Sequence, residues 1–300
     1  MVFTYNFLVS FFGFAMKNKN TSTVQIPQYI RSSVKALSFL SNKWATKLAM
    51  KLFITPFKFP LPKREIHMDT FSVKYPLELP KAKKDILVYE NGNGTKKALL
   101  IHGWNGRGTQ LFSIAKELTQ SGYTVISFDA PGHGKASKNT SVMTEFMEAA
   151  FVLERKYDGF DIVIGHSLGG MTAINVLSRG FQARKAVIIG SGDIIQDIMD
   201  DFIKRIGLKP KIGIKLKELF EKTYNENIDN YTISNQIQKV KIPVLIIHDR
   251  NDLDVPYTAA EHIYSKAPNA ELYLTEKLGH RKILGNGNVL QKIKEFIEKD

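Results

Sequence analysis

The stretch DIVIGHSLGGMTAINVL, residues 161–177, decides the fold. An apolar, β-branched run ends in Gly165-His166-Ser167-Leu168-Gly169, and a helical pattern follows at once. A G-x-S-x-G sequence between a strand and a helix sets the central serine on a sharp turn, with its hydroxyl clear of the sheet. The flanking glycines are needed because neighbouring backbone comes too close for a side chain. A glycine-rich turn with an incidental serine would give the same five letters, but not in this strand-to-helix setting.

Outward from this junction the same alternation repeats. ALLIH (98–102) and TVISFD (124–129) precede it, and AVIIG (186–190), PVLIIH (243–248) and AELYLT (270–275) follow, with helical segments between most of them. Continuous apolar strands of this kind require a sheet covered on both faces. The expectation is therefore a three-layer α/β/α sandwich with a mostly parallel sheet, preceded by short strands in FSVKY (71–75) and DILVYE (85–90) and closed by a helix over 288–299. The alternation lapses across 194–241, a helical, Lys-rich stretch that reads as an inserted lid. The organisation predicted is an N-terminal region at 1–84, a core at 85–193 and 242–300, and the lid between.

A serine hydroxyl needs a base within hydrogen-bond reach, and the resulting imidazolium needs a carboxylate to orient and stabilise it. Among seven histidines, His280 is the one in the loop after the last strand. The loop after PVLIIH offers Asp249, Asp252 and Asp254. Asp252 lies where a loop can turn back toward the histidine, with Asp249 as the alternative. The developing oxyanion needs N–H donors, and Leu168 after the serine and Trp104 in the loop HGWNGRG (102–108) supply the candidates. Asp129 and His133 in DAPGHG (129–134) lack a second pair at metal-ligand spacing, so that stretch reads as a rigid turn at the pocket rim and no metal or cofactor is expected.

Cysteine is absent, which excludes disulfides, thiolate metal sites and a cysteine nucleophile. The net charge of +13 is concentrated, because residues 17–84 hold fourteen Lys and Arg against Glu65, Asp69 and Glu78. No nucleic-acid reading motif accompanies that charge, so no nucleic-acid partner is expected. Residues 1–16 are almost wholly apolar, read as a membrane anchor, a hydrophobic tail, or sequence upstream of a start at Met16. From Val24 to Ile54 one helix or two are predicted, with Ile30, Val34, Leu37, Trp44, Leu48 and Leu52 on one face and Arg31, Lys35, Lys43, Lys47 and Lys51 on the other. Such a helix either packs its apolar stripe on the catalytic body or lies on an anionic membrane, which leaves a cytoplasmic or a membrane-associated location. Pro56, Pro60 and Pro62 then make an extended linker.

In this order, HGWNGRG, FDAPGHG, GHSLGG, HDRNDLDVP and LGHRKIL resemble the five landmark motifs of the α/β-hydrolase superfamily, over residues from about 85 to 300. The overall likeness is to bacterial α/β hydrolases, some assigned to the serine aminopeptidase-like group. The resemblance implies a serine hydrolase with Ser167, His280 and Asp252 as its triad but says little about substrate; a small-molecule acyl substrate is the expected partner. A carboxylic ester is expected, with an amide or thioester as the alternative, and a non-catalytic binding module as the reading from another class. The basic N-terminal region is not explained by it.

Overall fold

The structure, a computed structural model, describes residues 26–299. The expectations for residues 1–16 lie outside them.

Eight strands form one sheet in the order β1-β2-β4-β3-β5-β6-β7-β8. They are β1 (Val73–Leu79), β2 (Lys84–Asn91), β3 (Lys96–Ile101), β4 (Tyr123–Asp129), β5 (Phe160–His166), β6 (Ala183–Ile189), β7 (Val244–Asp249) and β8 (Ala270–Thr275). β2 is antiparallel to both β1 and β4, and every later pairing is parallel. The sheet therefore starts at Val73, so the boundary predicted at residue 84 cuts off a strand that belongs to it. Every second residue of β1 is polar or exposed, as an edge strand allows, and that weakened its apolar signal.

Side-chain alternation feeds two cores. Along β3, Leu99 and Ile101 go to one face and Ala98 and Leu100 to the other. The first face is covered by α5 (Met143–Tyr157), α6 (Leu168–Leu177) and α10 (Thr258–Lys266), through Phe146, Leu153, Ile174 and Ile263. The second is covered by α4 (Phe112–Gln120) and α12 (Gly287–Glu298), through Ile114, Leu118, Ile293 and Phe296. This is the three-layer α/β/α architecture.

Between β6 and β7 the chain inserts α7 (Ile195–Arg205), α8 (Lys211–Tyr224) and the short α9 (Ile233–Gln236). The N-terminal stretch forms two helices, α1 (Gln28–Leu40) and α2 (Asn42–Phe53), and a short α3 (Ile66–Phe71) leads into β1. The buried side chains of α1 and α2, Ile30, Val34, Ala49 and Met50, meet Met199, Ile203, Ile212 and Leu216 of α7 and α8 in a separate third core. The N-terminal region and the insertion, predicted as separate parts, thus make one helical cap. Ser41 is extended at φ −160° and interrupts the helix, which shifts the phase of the buried face in α2. Ala45, Ala49 and Met50 point inward there, while Trp44, expected on the apolar stripe, is exposed.

Candidate active site

The parallel strands deliver their C-terminal ends to one edge of the sheet. β3 and β5 are neighbours, and the helices that leave them go to opposite faces of the sheet, which opens a crevice at their C-terminal ends. Ser167 stands in that crevice between β5 and α6, at φ 53° and ψ −118°. A non-glycine residue is strained in this conformation. What holds it is the lack of room around it. A Cβ on Gly165 would meet Gly169 O at 2.1 Å, and one on Gly169 would meet Ile101 O at 2.1 Å. The Ser167 N–H donates to Ile189 O at 2.8 Å, tying the turn to β6.

Leu168 opens α6, so its N–H belongs to the helix's unsatisfied first turn. Trp104 N–H has no partner among the described residues. The loop that carries Trp104 is fastened at three points. Gly108 N–H donates to Asp129 Oδ1 at 2.6 Å, Gly103 N–H to Gln110 Oε1 at 3.0 Å, and Asn105, in the left-handed region at φ 58°, accepts from Phe57 N–H at 2.6 Å. Asp129 also accepts from Lys135 N–H and Tyr89 Oη, so the DAPGHG turn braces this loop. Burial raises the Asp129 carboxyl, against the pull of those bonds. His133 lies edge-on to Trp104 with ring centres 5.0 Å apart, a packing role.

His280, on the short α11 (Gly279–Lys282) after β8, bonds through Nδ1 to Asp252 Oδ2 at 2.6 Å. Of the two candidate aspartates, Asp252 is the one whose carboxylate meets His280. Burial works against its ionisation but is outweighed by hydrogen bonds from His248, His280 and the Val255 N–H, so its carboxyl is held well below the usual range. Asp249 has a different task. It is fully buried and accepts from Asn251, Leu278 and Gly279 N–H groups and from Thr275 Oγ1, at 2.8–3.1 Å. It thereby clamps the β7 loop to the loop bearing His280. Asp252, Asp254 and His280 bring ligand atoms within 4.8 Å of one another, yet Asp252 Oδ2 is engaged by two imidazoles and Asp254 by Arg205, which leaves a poor cation cage.

Ser167 and His280 line the same cavity, of about 960 Å³, together with Trp104, Leu168 and Asp252. No Ser167–His280 hydrogen bond forms among the described residues; such contacts are often long until substrate is bound. Ile194, Ile195, Ile198, Phe202 and Phe220 of the insertion line it as well, and so do Leu52, Phe53, Ile54 and Phe57 of the N-terminal region. Ile203 and Leu216 of the same insertion belong instead to the core of the cap.

A second Asp–His pair lay beyond sequence reading. Asp193 Oδ2 meets His262 Nδ1 at 2.6 Å while its Oδ1 accepts from Ser234 N–H at 2.7 Å, and both Asp193 and His262 border the cavity. The two residues are 69 positions apart, and no spacing links them.

Residues 99–228 match the family model for the alpha/beta hydrolase fold. A 2-hydroxy-6-oxononadienedioate/2-hydroxy-6-oxononatrienedioate hydrolase of Escherichia coli is 24% identical over 253 residues, covering 68% of this chain and 88% of that protein. Among solved structures, an esterase of Pyrococcus furiosus superposes with a TM-score of 0.64 at 17% identity, over 82% of this chain and 98% of its own. A bacterial membrane phospholipase A, described as a virulence factor, gives 0.60 at 15% identity, over 91% of this chain and 98% of its own.

Proposed function

From the premise that this chain has the α/β-hydrolase fold, we propose that it is a serine hydrolase that cleaves a carboxylic ester through an acyl-enzyme. The observation that carries the reading is the Asp252–His280 pair at 2.6 Å bordering one apolar cavity with a serine held at φ 53°. In the proposed reaction Ser167 Oγ attacks the acyl carbonyl as His280 Nε2 takes its proton. Asp252 fixes the tautomer by accepting from Nδ1–H and stabilises the imidazolium. The Trp104 and Leu168 N–H groups receive the oxyanion. The imidazolium protonates the leaving alcohol, and water activated by His280 then releases the acid and restores Ser167.

Apolar lining from both the insertion and the N-terminal region favours an acyl chain. The dioate in the Escherichia coli relative's name suits this cavity poorly, since six carboxylates (Asp193, Asp197, Asp201, Glu226, Asp252 and Asp254) border it against Arg205 and Arg281. One observation favours a second reading, a peptidase acting on a substrate amine. Asp197 faces the cavity and its carboxyl is raised, chiefly by burial and then by Asp200 and Asp193, so a cation there would be welcome.

The test is turnover of p-nitrophenyl esters from acetyl to palmitoyl, with a fluorophosphonate probe for the serine. Wild type is expected to hydrolyse and label, with a preference beyond acetyl, and Ser167→Ala to do neither. Labelling without ester turnover, but with cleavage of aminoacyl p-nitroanilides, would transfer the assignment to the peptidase. Absence of both labelling and turnover would sink the hydrolase reading.

A further inference from the structure

The corner between α1 and α2 presents Phe39, Leu40 and Trp44 to solvent at 77%, 84% and 61% exposure, three large apolar side chains within six residues. They are not the outside of an inadequate core, because the inward faces of the same helices are filled by Ile30, Val34, Ala49 and Met50. Around the corner Lys35, Lys43, Lys47 and Lys51 are all exposed, and Lys47 lies over the Trp44 ring at 5.0 Å. Residues 26–64 contain no Asp or Glu at all.

We propose that this corner docks on an anionic lipid bilayer, with Phe39, Leu40 and Trp44 inserted at the headgroup level and the lysines against lipid phosphates. An interfacial surface needs both parts, apolar side chains that leave water and cations beside them. Other occupants use only one. A second copy of the chain would bring two lysine-bearing helix pairs together that carry no acidic residue of their own, and like charges across a desolvated contact repel. A nucleic acid would engage the lysines but leave Leu40 in water. Docking here also has a geometric consequence. From Trp44 the helix runs about 14 Å to Phe53, at about 1.5 Å per residue, and Leu52, Phe53 and Ile54 at that end border the cavity. On the ester-hydrolase reading above, the bilayer that holds α2 is thus the source of the acyl substrate.

The test uses the full chain and vesicles of phosphatidylcholine with phosphatidylglycerol in equal parts, against vesicles of phosphatidylcholine alone. Trp44 and Trp104 are the protein's two tryptophans, so Trp104→Phe leaves Trp44 as the sole reporter. Its emission is expected to shift to the blue and to be quenched by brominated lipid with the anionic vesicles, and to do so less at high salt. Phe39→Ser/Leu40→Ser should abolish co-sedimentation, and Lys43→Gln/Lys47→Gln should weaken it by roughly 25-fold, about five-fold for each charge. All four residues lie away from the cavity, so turnover of p-nitrophenyl butyrate by these variants should match wild type. Vesicle binding that survives both variants would mean attachment elsewhere and would overturn the proposal, as would an unshifted Trp44 or salt-sensitive binding to DNA in place of vesicles. Loss of soluble-ester turnover in wild type itself would remove the substrate reading and leave the docking result to stand separately.

Discussion

Asp249 and Asp252 share one loop and serve the same histidine by different routes. Asp252 bonds the imidazole, whereas Asp249 holds the backbone that delivers it. Their amide variants should therefore separate. Asp252→Asn leaves volume and fold intact but reverses the polarity facing Nδ1, and kcat should fall by about 10⁴ with little change in the urea midpoint. Asp249→Asn turns an NH₂ toward donors that had an acceptor and should cost about 2–3 kcal/mol of stability, with a smaller loss of kcat. Equal kinetic damage from both would refute the division of labour. That Ser167 and His280 border one cavity was legible because chain order and strand ends place them at one sheet edge. Which aspartate meets His280 was legible only as a choice of two, since both follow the same strand and the outcome depends on how the loop turns. Asp193 and His262 were not legible, because their meeting depends on where the insertion returns to the sheet.

The helices of the cap were each visible as amphipathic stretches, but their partnership was not. A hydrophobic stripe states that something covers it and leaves unsaid what does, and here α1 and α2 are covered by α7 and α8 and not by the sheet. The phase change at Ser41 also escaped a reading by periodicity, which carried the stripe straight through to Trp44. The separation of this core from the two sheet cores has a measurable result. Ile203, buried in the cap, should lose about 2–5 kcal/mol on replacement by Ala. That loss should appear as faster amide exchange in α1, α2, α7 and α8, with β3 and β5 as well protected as in wild type. Uniform loss of protection across sheet and cap would mean a single cooperative unit.

Across the whole molecule, three of the four histidines buried on or beside the strand ends, His102, His133 and His166, set a limit on acid tolerance. Burial lowers His102 from its ordinary value of 6.5 to about 4, and lowers His133 and His166 well below 6.5. Well above 6.5, from about pH 8 upward, all three are neutral folded or unfolded and pH has no hold on them. Below it the unfolded chain takes up protons that the folded chain refuses, so stability falls with pH, by about 3 kcal/mol for His102 alone once pH is under 4. Asp252 adds to this at still lower pH, because its depressed carboxyl stabilises the fold above the ordinary 3.8 and that contribution disappears as it protonates. The urea midpoint should drop steadily from about pH 7 to about pH 5. A flat profile across that interval would contradict the neutral burial of these imidazoles.

The segment leaving α2 touches the rim of the site twice, through Ile54 O, which accepts from Ser141 N–H at 2.8 Å, and through Phe57 N–H on Asn105. Asn105 sits next to the backbone of Trp104. Any swing of the cap wide enough to admit the proposed ester must strain or release this strap, and the loop that carries Trp104 is disturbed with it. Entry and chemistry are in this way interlocked, as with a machine whose open door interrupts its own circuit.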